Sequence, residues 1–538
     1  MTVAAVSEAT FAQEVLGSAS PVLAVFAADR CRPYWDMAPA IETVAREQSG
    51  RLKIVKIDVD KLTGIKADYG VRGLPTLILF KGGRPAARRV GAFMCKESLE
   101  EWINFELIRS TLTTYSAELP RASGFRLANG MEVAVIPDHR VPVVTHSLWY
   151  RVGAADEPEG LSGVACLLLH LMFKSRDDVA DGEFSKIVTD LGGRHNAAGY
   201  RDATAYFERI TSDQLRPVME LEAARMAGLR LAPGEVERER RTIIEQRRSA
   251  VDLNPVMRLR EKMDAALYQD HPYASLTIGK VDDINRLSRK DALRFYKRHY
   301  APNNAVLVVC GDVTEEEVRV IAESTYGKIP ANPDARSRQR AQGPEVLTPR
   351  RVRHKDPRVV RTVFRRMYVV PSYVAGRPGE PEALDLLARI LCIGPSSRLR
   401  ARLVDTASLA TAVGGEYRSE VVDFGTLAIT VVARDRQLGV IEAAVDEVIE
   451  DIRSKGPTET ELVRAKKALL ADYVYASGSQ AKLANRYGCA LAAGRSIAQI
   501  EAWPENIART TVDDIVRIAA QYLEIDRSVT GWLQPSRS

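Results

Sequence analysis

Gly163-Val-Ala-Cys166-Leu-Leu-Leu169-His170-Leu-Met-Phe-Lys-Ser175 reads as a helix that is apolar on nearly every side. Its one polar group is His170. A lone histidine on an apolar helix is ordinarily a satisfied core residue. Cys166 stands one turn earlier, however, and side chains four apart share a helix face. Cysteine and histidine are both legitimate zinc ligands. The stretch therefore poses one question, whether this pair does any chemistry or is part of the core.

The sequence around this helix has a clear order. Arg126-Leu-Ala-Asn129-Gly130-Met-Glu-Val-Ala-Val-Ile reads as two short strands around an Asn-Gly turn. A long strand over 143–153 leads into Glu157-Pro-Glu-Gly160-Leu-Ser-Gly163 and the quoted helix. A helix over 182–191 is followed by Gly192-Gly193-Arg-His-Asn196-Ala197-Ala-Gly-Tyr200 and a strand over 202–210. Helices over 212–229 and 233–251 come next. A helix from Leu287 to Tyr300 then feeds the buried strand Ala305-Val-Leu-Val-Val-Cys310.

That closing pattern recurs. Asp291 and Tyr300 find counterparts in Asp513 and Tyr522, at one shared offset. The body thus reads as two homologous α+β halves, residues 113–330 and 348–538, each an antiparallel-rich sheet with helices packed on one face. Residues 331–347, within a stretch rich in Pro, Arg and Gln, read as an exposed linker.

Residues 1–112 follow a different plan. Pro21-Val-Leu-Ala-Val-Phe26 begins a buried strand, Cys31-Arg-Pro-Tyr34 opens a helix, and 52–60 alternates as a half-covered strand does. Gly73-Leu-Pro75-Thr-Leu-Ile-Leu-Phe80 is a strand ending in a glycine turn. A further strand over 87–93 and an amphipathic helix over 96–108 complete the unit. This α/β order, with Cys31-Arg-Pro33 and Gly73-Leu-Pro75-Thr76, resembles thioredoxin. The resemblance implies a cis peptide before Pro75, facing Cys31. It also marks departures. The resolving cysteine is replaced by Tyr34, the buried acid by Val25, and two tryptophans by Ala27 and Arg30. A dithiol exchanger needs a second thiol, so Cys31 supports at most a monothiol role, with Arg30 and Arg32 available to favour its thiolate.

Composition narrows the classes. The chain has 538 residues, 46% hydrophobic and 27% charged, with a net charge of +6. That is an ordinary globular balance, and it gives no strong case for nucleic acid. Six scattered cysteines fit a reducing, cytoplasmic setting better than a disulfide framework. No apolar run approaches the roughly 18–20 residues that span a bilayer, so no membrane partner is expected.

Residues 124–535 resemble the pitrilysin/insulinase family of metallopeptidases, especially small two-half members related to the mitochondrial processing peptidase. The resemblance rests on Gly160-Leu-Ser-Gly163, Leu191-Gly-Gly193 with Asn196-Ala197, Glu237-Arg-Glu239-Arg240, Asn254-Pro255, His271-Pro272-Tyr273, Tyr300-Ala-Pro-Asn-Asn304 and Ser396-Ser-Arg398-Leu. Active members carry H-x-x-E-H on this helix, two zinc ligands flanking a general base, and a glutamate ligand further on. Here the first ligand is Cys166, the base is Leu169, and only His170 survives. Aligning on Glu239-Arg240 puts the third ligand at Gln246. A one-residue slip would make it Glu245, leaving Cys166, His170 and Glu245 as an altered zinc set. General base catalysis contributes about 10²–10⁴-fold, and leucine cannot supply it.

The Arg…Tyr pair that some members use to grip substrate falls on Val404 and Thr411. The resemblance further implies that peptides add a strand at the edge containing Asn196 and Ala197, and that the chain pairs with a homologous subunit as a hetero- or homodimer. The expectation is a degenerate, non-catalytic peptidase subunit, with no cofactor needed. Two alternatives remain open at this point, a zinc peptidase with the altered ligand set and a monothiol redox protein acting through Cys31.

Overall fold

The computed structural model describes residues 3–48, 50–93, 95–96, 98–100, 102–107, 119–174, 182–232, 234–335, 338, 348–434 and 438–536. The chain divides into two compact units, Met1–Leu119 and Pro120–Ser538. Most of the expected linker, 336–337 and 339–347, lies outside the described residues, as do parts of the helix expected over 96–108.

The first unit is a five-stranded sheet. Its spatial order is Ala4–Ala5, Lys53–Asp58, Val22–Ala27, Thr76–Lys81, Arg84–Val90. Val22–Ala27 is buried on both faces, as a continuous apolar central strand must be. It runs parallel to Lys53–Asp58 and antiparallel to Thr76–Lys81. The Leu74–Pro75 peptide is cis, as the resemblance implies. Cys31 caps the N-terminus of the helix Arg32–Glu47.

The second unit holds two sheets built to one plan. The first sheet runs Ser123–Arg126, Glu132–Pro137, Ala305–Gly311, Val143–Tyr150, Thr204–Thr211, Arg194–Gly199. The second runs Arg350–Asp356, Ser528–Pro535, Val363–Val370, Gly425–Ala433, Ala410–Arg418. Apart from the extra hairpin strand Ser123–Arg126, the orders match strand for strand. In both, the last strand in sequence pairs parallel with the first of the shared set and antiparallel with the next.

The duplication is therefore real, but its register differs by one residue from the expected pairing of Asp291 with Asp513. Ser288 and Asp291 form a reciprocal capping box, and Thr511 and Asp514 form its counterpart. Matched caps place Tyr300 opposite Leu523, both buried. Two adjacent aspartates, Asp513 and Asp514, hid this in the sequence.

Each half also covers the other. Alternate residues of a strand face opposite sides. On one side of the first sheet, Val133, Val135, Leu148, Tyr206 and Leu307 pack with helices of their own half. On the other side, Ala134, Trp149, Ala205, Val306 and Val308 pack with Leu483, Tyr487 and Leu491 of the second half's helix Gln480–Ala493. Reciprocally, Leu259, Met263 and Leu267 of the helix Pro255–Tyr268 pack on Met367, Ala428, Val529 and Leu533 of the second sheet. Gly488 permits the first crossing, since a Cβ there would lie 2.0 Å from Trp149 Nε1.

Candidate functional site

The helix Val164–Leu171 begins at Gly163, whose φ of 98° suits glycine. The Glu157 carboxylate accepts from the N–H groups of Gly163 at 2.9 Å and Ala165 at 3.0 Å. It thereby meets donors that a helix N-terminus leaves free. Burial nonetheless pushes Glu157 up to about 8, against the lowering effect of those two N–H groups. Val164, Ala165, Leu167, Leu168 and Leu171 are buried in the half's core. Cys166, Leu169 and His170 take the remaining, half-buried face.

These three residues line a cavity of about 380 Å3, together with Gln246 and Ala197. The structure thus brings together five residues singled out from sequence. Glu245 is not among them. Its side chain is 69% exposed and lies 3.6 Å from Arg248. Successive residues on a helix are about 100° apart, so turning Gln246 toward the cavity turns Glu245 toward solvent. The altered ligand set Cys166, His170 and Glu245 is corrected on that ground.

His170 Nδ1 lies 3.3 Å from Glu239 Oε2, and Lys174 Nζ lies 3.0 Å from the other oxygen of the same carboxylate. Glu239 stands two turns before Gln246 on the helix Glu235–Arg247. Burial, with the nearby Glu157 charge adding to it, pushes the Cys166 thiol up to about 12. A protonated thiol is a poor ligand and a poor nucleophile. Among the described residues, no group of three or more His, Cys, Asp or Glu could hold a metal ion. The donors at the cavity are a thiol, an imidazole beside a carboxylate, and a carboxamide, with leucine where a base would stand. This set does not fit a hydrolytic zinc centre.

The strand Arg194–Gly199 is one edge of the first sheet and, among the described residues, is bonded only to Thr204–Thr211. Ala197 reaches the cavity. Asn196 points away, and its Oδ1 accepts from the Ala197 N–H at 2.8 Å. Val404 and Thr411 lie on Ala401–Thr406 and Ala410–Arg418. Thr411 Oγ1 accepts from Arg361 at 3.2 Å. Arg201 and Arg260 also line the cavity. Sequence reading missed both, and missed Glu239 as the neighbour of His170. The one legible signal was the Arg260–Asp264 pair at i,i+4 spacing.

In the first unit, Cys31 is buried and Tyr34 packs beneath it in the same core. Arg30 pairs with Asp60. Cys95 is exposed, with Ser98 Oγ at 3.2 Å. Among the described residues, all six cysteines are free.

A duplicated α+β body, with an edge strand beside a helix that carries altered metal-site positions, defines a peptidase-like protein. Comparison with known proteins agrees. The family described as Insulinase (Peptidase family M16) matches residues 132–280, the Peptidase M16 inactive domain matches 286–469, and Thioredoxin matches 2–105. The chain belongs to peptidase family M16, with a thioredoxin domain at its N-terminal end.

It is 29% identical to the zinc protease PqqE of Helicobacter pylori, over 78% of this chain and 94% of that one. It is 23% identical to the mitochondrial-processing peptidase subunit beta of Blastocladiella emersonii, over 75% and 87%. A crystal structure of a protease from Helicobacter pylori superposes with a TM-score of 0.73 at 27% identity. It covers 78% of this chain and all of that one.

Proposed function

We propose that this chain is a non-catalytic M16 subunit that binds an extended peptide along Arg194–Gly199 and works beside a homologous subunit. The observation that carries the reading is the make-up of the cavity. The family resemblance assigns Leu169 and Gln246 to the base and third-ligand positions, and both line a cavity that Ala197 of the edge strand Arg194–Gly199 also lines. Strand addition needs backbone N–H and C=O groups rather than reactive side chains, so binding can outlast the loss of chemistry. Asn196 now satisfies the Ala197 N–H, and an incoming strand would take over that donor. A subunit partner is argued from the likeness to a processing-peptidase subunit.

The test is purification from the native source, followed by metal analysis and incubation with an unfolded protein substrate. Co-purification of a second M16 chain is expected, with saturable peptide binding and no zinc-dependent cleavage by this chain alone. A lone monomer carrying stoichiometric zinc and cleaving peptide overturns the reading.

A further inference from the structure

We infer that the cavity takes a carboxylate of the bound peptide, held by Arg260 and Arg201; this rests on the peptide-binding reading and names the chemistry it selects. Four guanidinium groups gather where the two halves meet. Arg201 and Arg260 line the cavity, and Arg418 and Arg365 come from the second half. Only two carboxylates among the described residues serve them through ion pairs. Asp264 is fully buried, with Arg201 at 3.0 Å, Arg260 at 3.8 Å and Arg418 at 3.9 Å. Glu416 receives Arg418 at 2.6 Å and Arg365 at 2.5 Å. Burial opposes its charge, yet those two arginines hold Glu416 down to about 2, so it is a full anion and has nothing left to give.

Four cations thus face two anions in a region mostly shut from water. Arg201 is 12% exposed, Arg365 15% and Arg418 16%. Their mutual repulsion is poorly screened there. Arg260 carries the consequence. Its Nε is buried with no hydrogen-bond partner, as is Nη1 of Arg418. Burial, with Arg418 as the next contributor, pulls Arg260 below its usual range, despite Asp264 and Glu416. Arg201 is fixed by Asp264 and by the faces of Tyr268 and Tyr273. Arg260, 34% exposed and lacking a close partner, is the free end of the cluster and opens to the cavity. A ligand carboxylate would answer the excess charge, and arginine's planar fork suits it. Ala197 lines the same cavity, so a peptide on the edge strand can deliver that group.

The carboxylate has two sources, an Asp or Glu side chain or a free C-terminus. Three nine-residue alanine-rich peptides separate them. One has a central Glu and an amidated end, one a central Gln and a free end, and one a central Gln and an amidated end. Thermal unfolding with glutarate reads the carboxylate site without any strand addition. Tighter binding of a carboxylate-bearing peptide is expected, by about ten- to a hundredfold over the neutral one. Arg260→Gln abolishes that margin. Arg260→Lys restores part of it. Equal binding of all three peptides, with no stabilisation by glutarate, overturns the inference and leaves strand addition standing. Glutarate stabilisation lost in Arg260→Gln, with no peptide bound, upholds the carboxylate site and sinks strand addition.

Discussion

The two halves of the second unit share a plan and differ in how one helix face is used. The helix Val164–Leu171 starts at left-handed Gly163, and its counterpart Glu380–Leu391 starts at left-handed Gly379. In the second half two acids of this helix, Glu382 and Asp385, are bonded to neighbouring side chains of the same half. Asp385 accepts from Tyr373, and from Trp503 Nε1 at 3.1 Å. Glu382 accepts from Asn506 at 3.0 Å. In the first half the comparable face, Cys166, Leu169 and His170, opens on a cavity. One architecture yields a closed core when large partners fill the face and an open cavity when they do not. The face of Cys166, Leu169 and His170 in the first half is therefore left unfilled.

The sharpest break of this comparison is restoration. Cys166→His with Leu169→Glu and Gln246→Glu would place a complete ligand and base set around the cavity. Stoichiometric zinc is expected in the triple variant and none in the parent, by metal analysis. At a hundredfold excess of zinc over its dissociation constant, stability should rise by about 2.7 kcal/mol. No uptake would mean that the helices no longer hold zinc geometry.

The reciprocal crossings come next. Gly488→Ala drives a Cβ into rigid Trp149, while Gly531→Ala meets the flexible Met263 at 2.2 Å from its sulfur. Overpacking costs about 1–3 kcal/mol. Denaturant unfolding should place Gly488→Ala near the top of that range and Gly531→Ala near the bottom. Equal costs would show that the two crossings do not differ in rigidity.

The comparison is sharpened last by the pH response of the closed face. Burial raises Asp385 to about 7, against lowering by its bonds from Tyr373 and Trp503. Its folded value exceeds its unfolded value of 3.8, so the folded state holds the proton more tightly. Stability should fall as pH climbs from about 4 to about 7 and level off above, by at most about 1.4 kcal/mol per pH unit from this group. Asp385→Asn should flatten that part of the profile. An unchanged slope would assign the response to other buried acids.

Much of the fold was legible because its signals are local. The Asn129-Gly130 turn, the alternation over 204–211 and the all-apolar strand 305–311 each follow from periodicity and turn chemistry. The repeat was legible too, with its register off by one where two aspartates adjoin. The covering of each sheet by the other half's helix was not legible. A helix buried against a distant sheet has the same apolar stripe as one buried nearby.

For the site, the sequence alone determined that Leu169 carries no basic group and Gln246 no carboxylate, wherever they stand. It also fixed Cys166, Leu169 and His170 on one helix face through the 3.6-residue period. Only the tertiary structure chose Gln246 over Glu245, because that depends on which side of a second helix meets the first. Only it placed Glu239 beside His170 and gathered Arg201, Arg260, Arg365 and Arg418 around Asp264 and Glu416. Those charges come from residues up to 217 positions apart in the chain, and no local pattern records such a meeting.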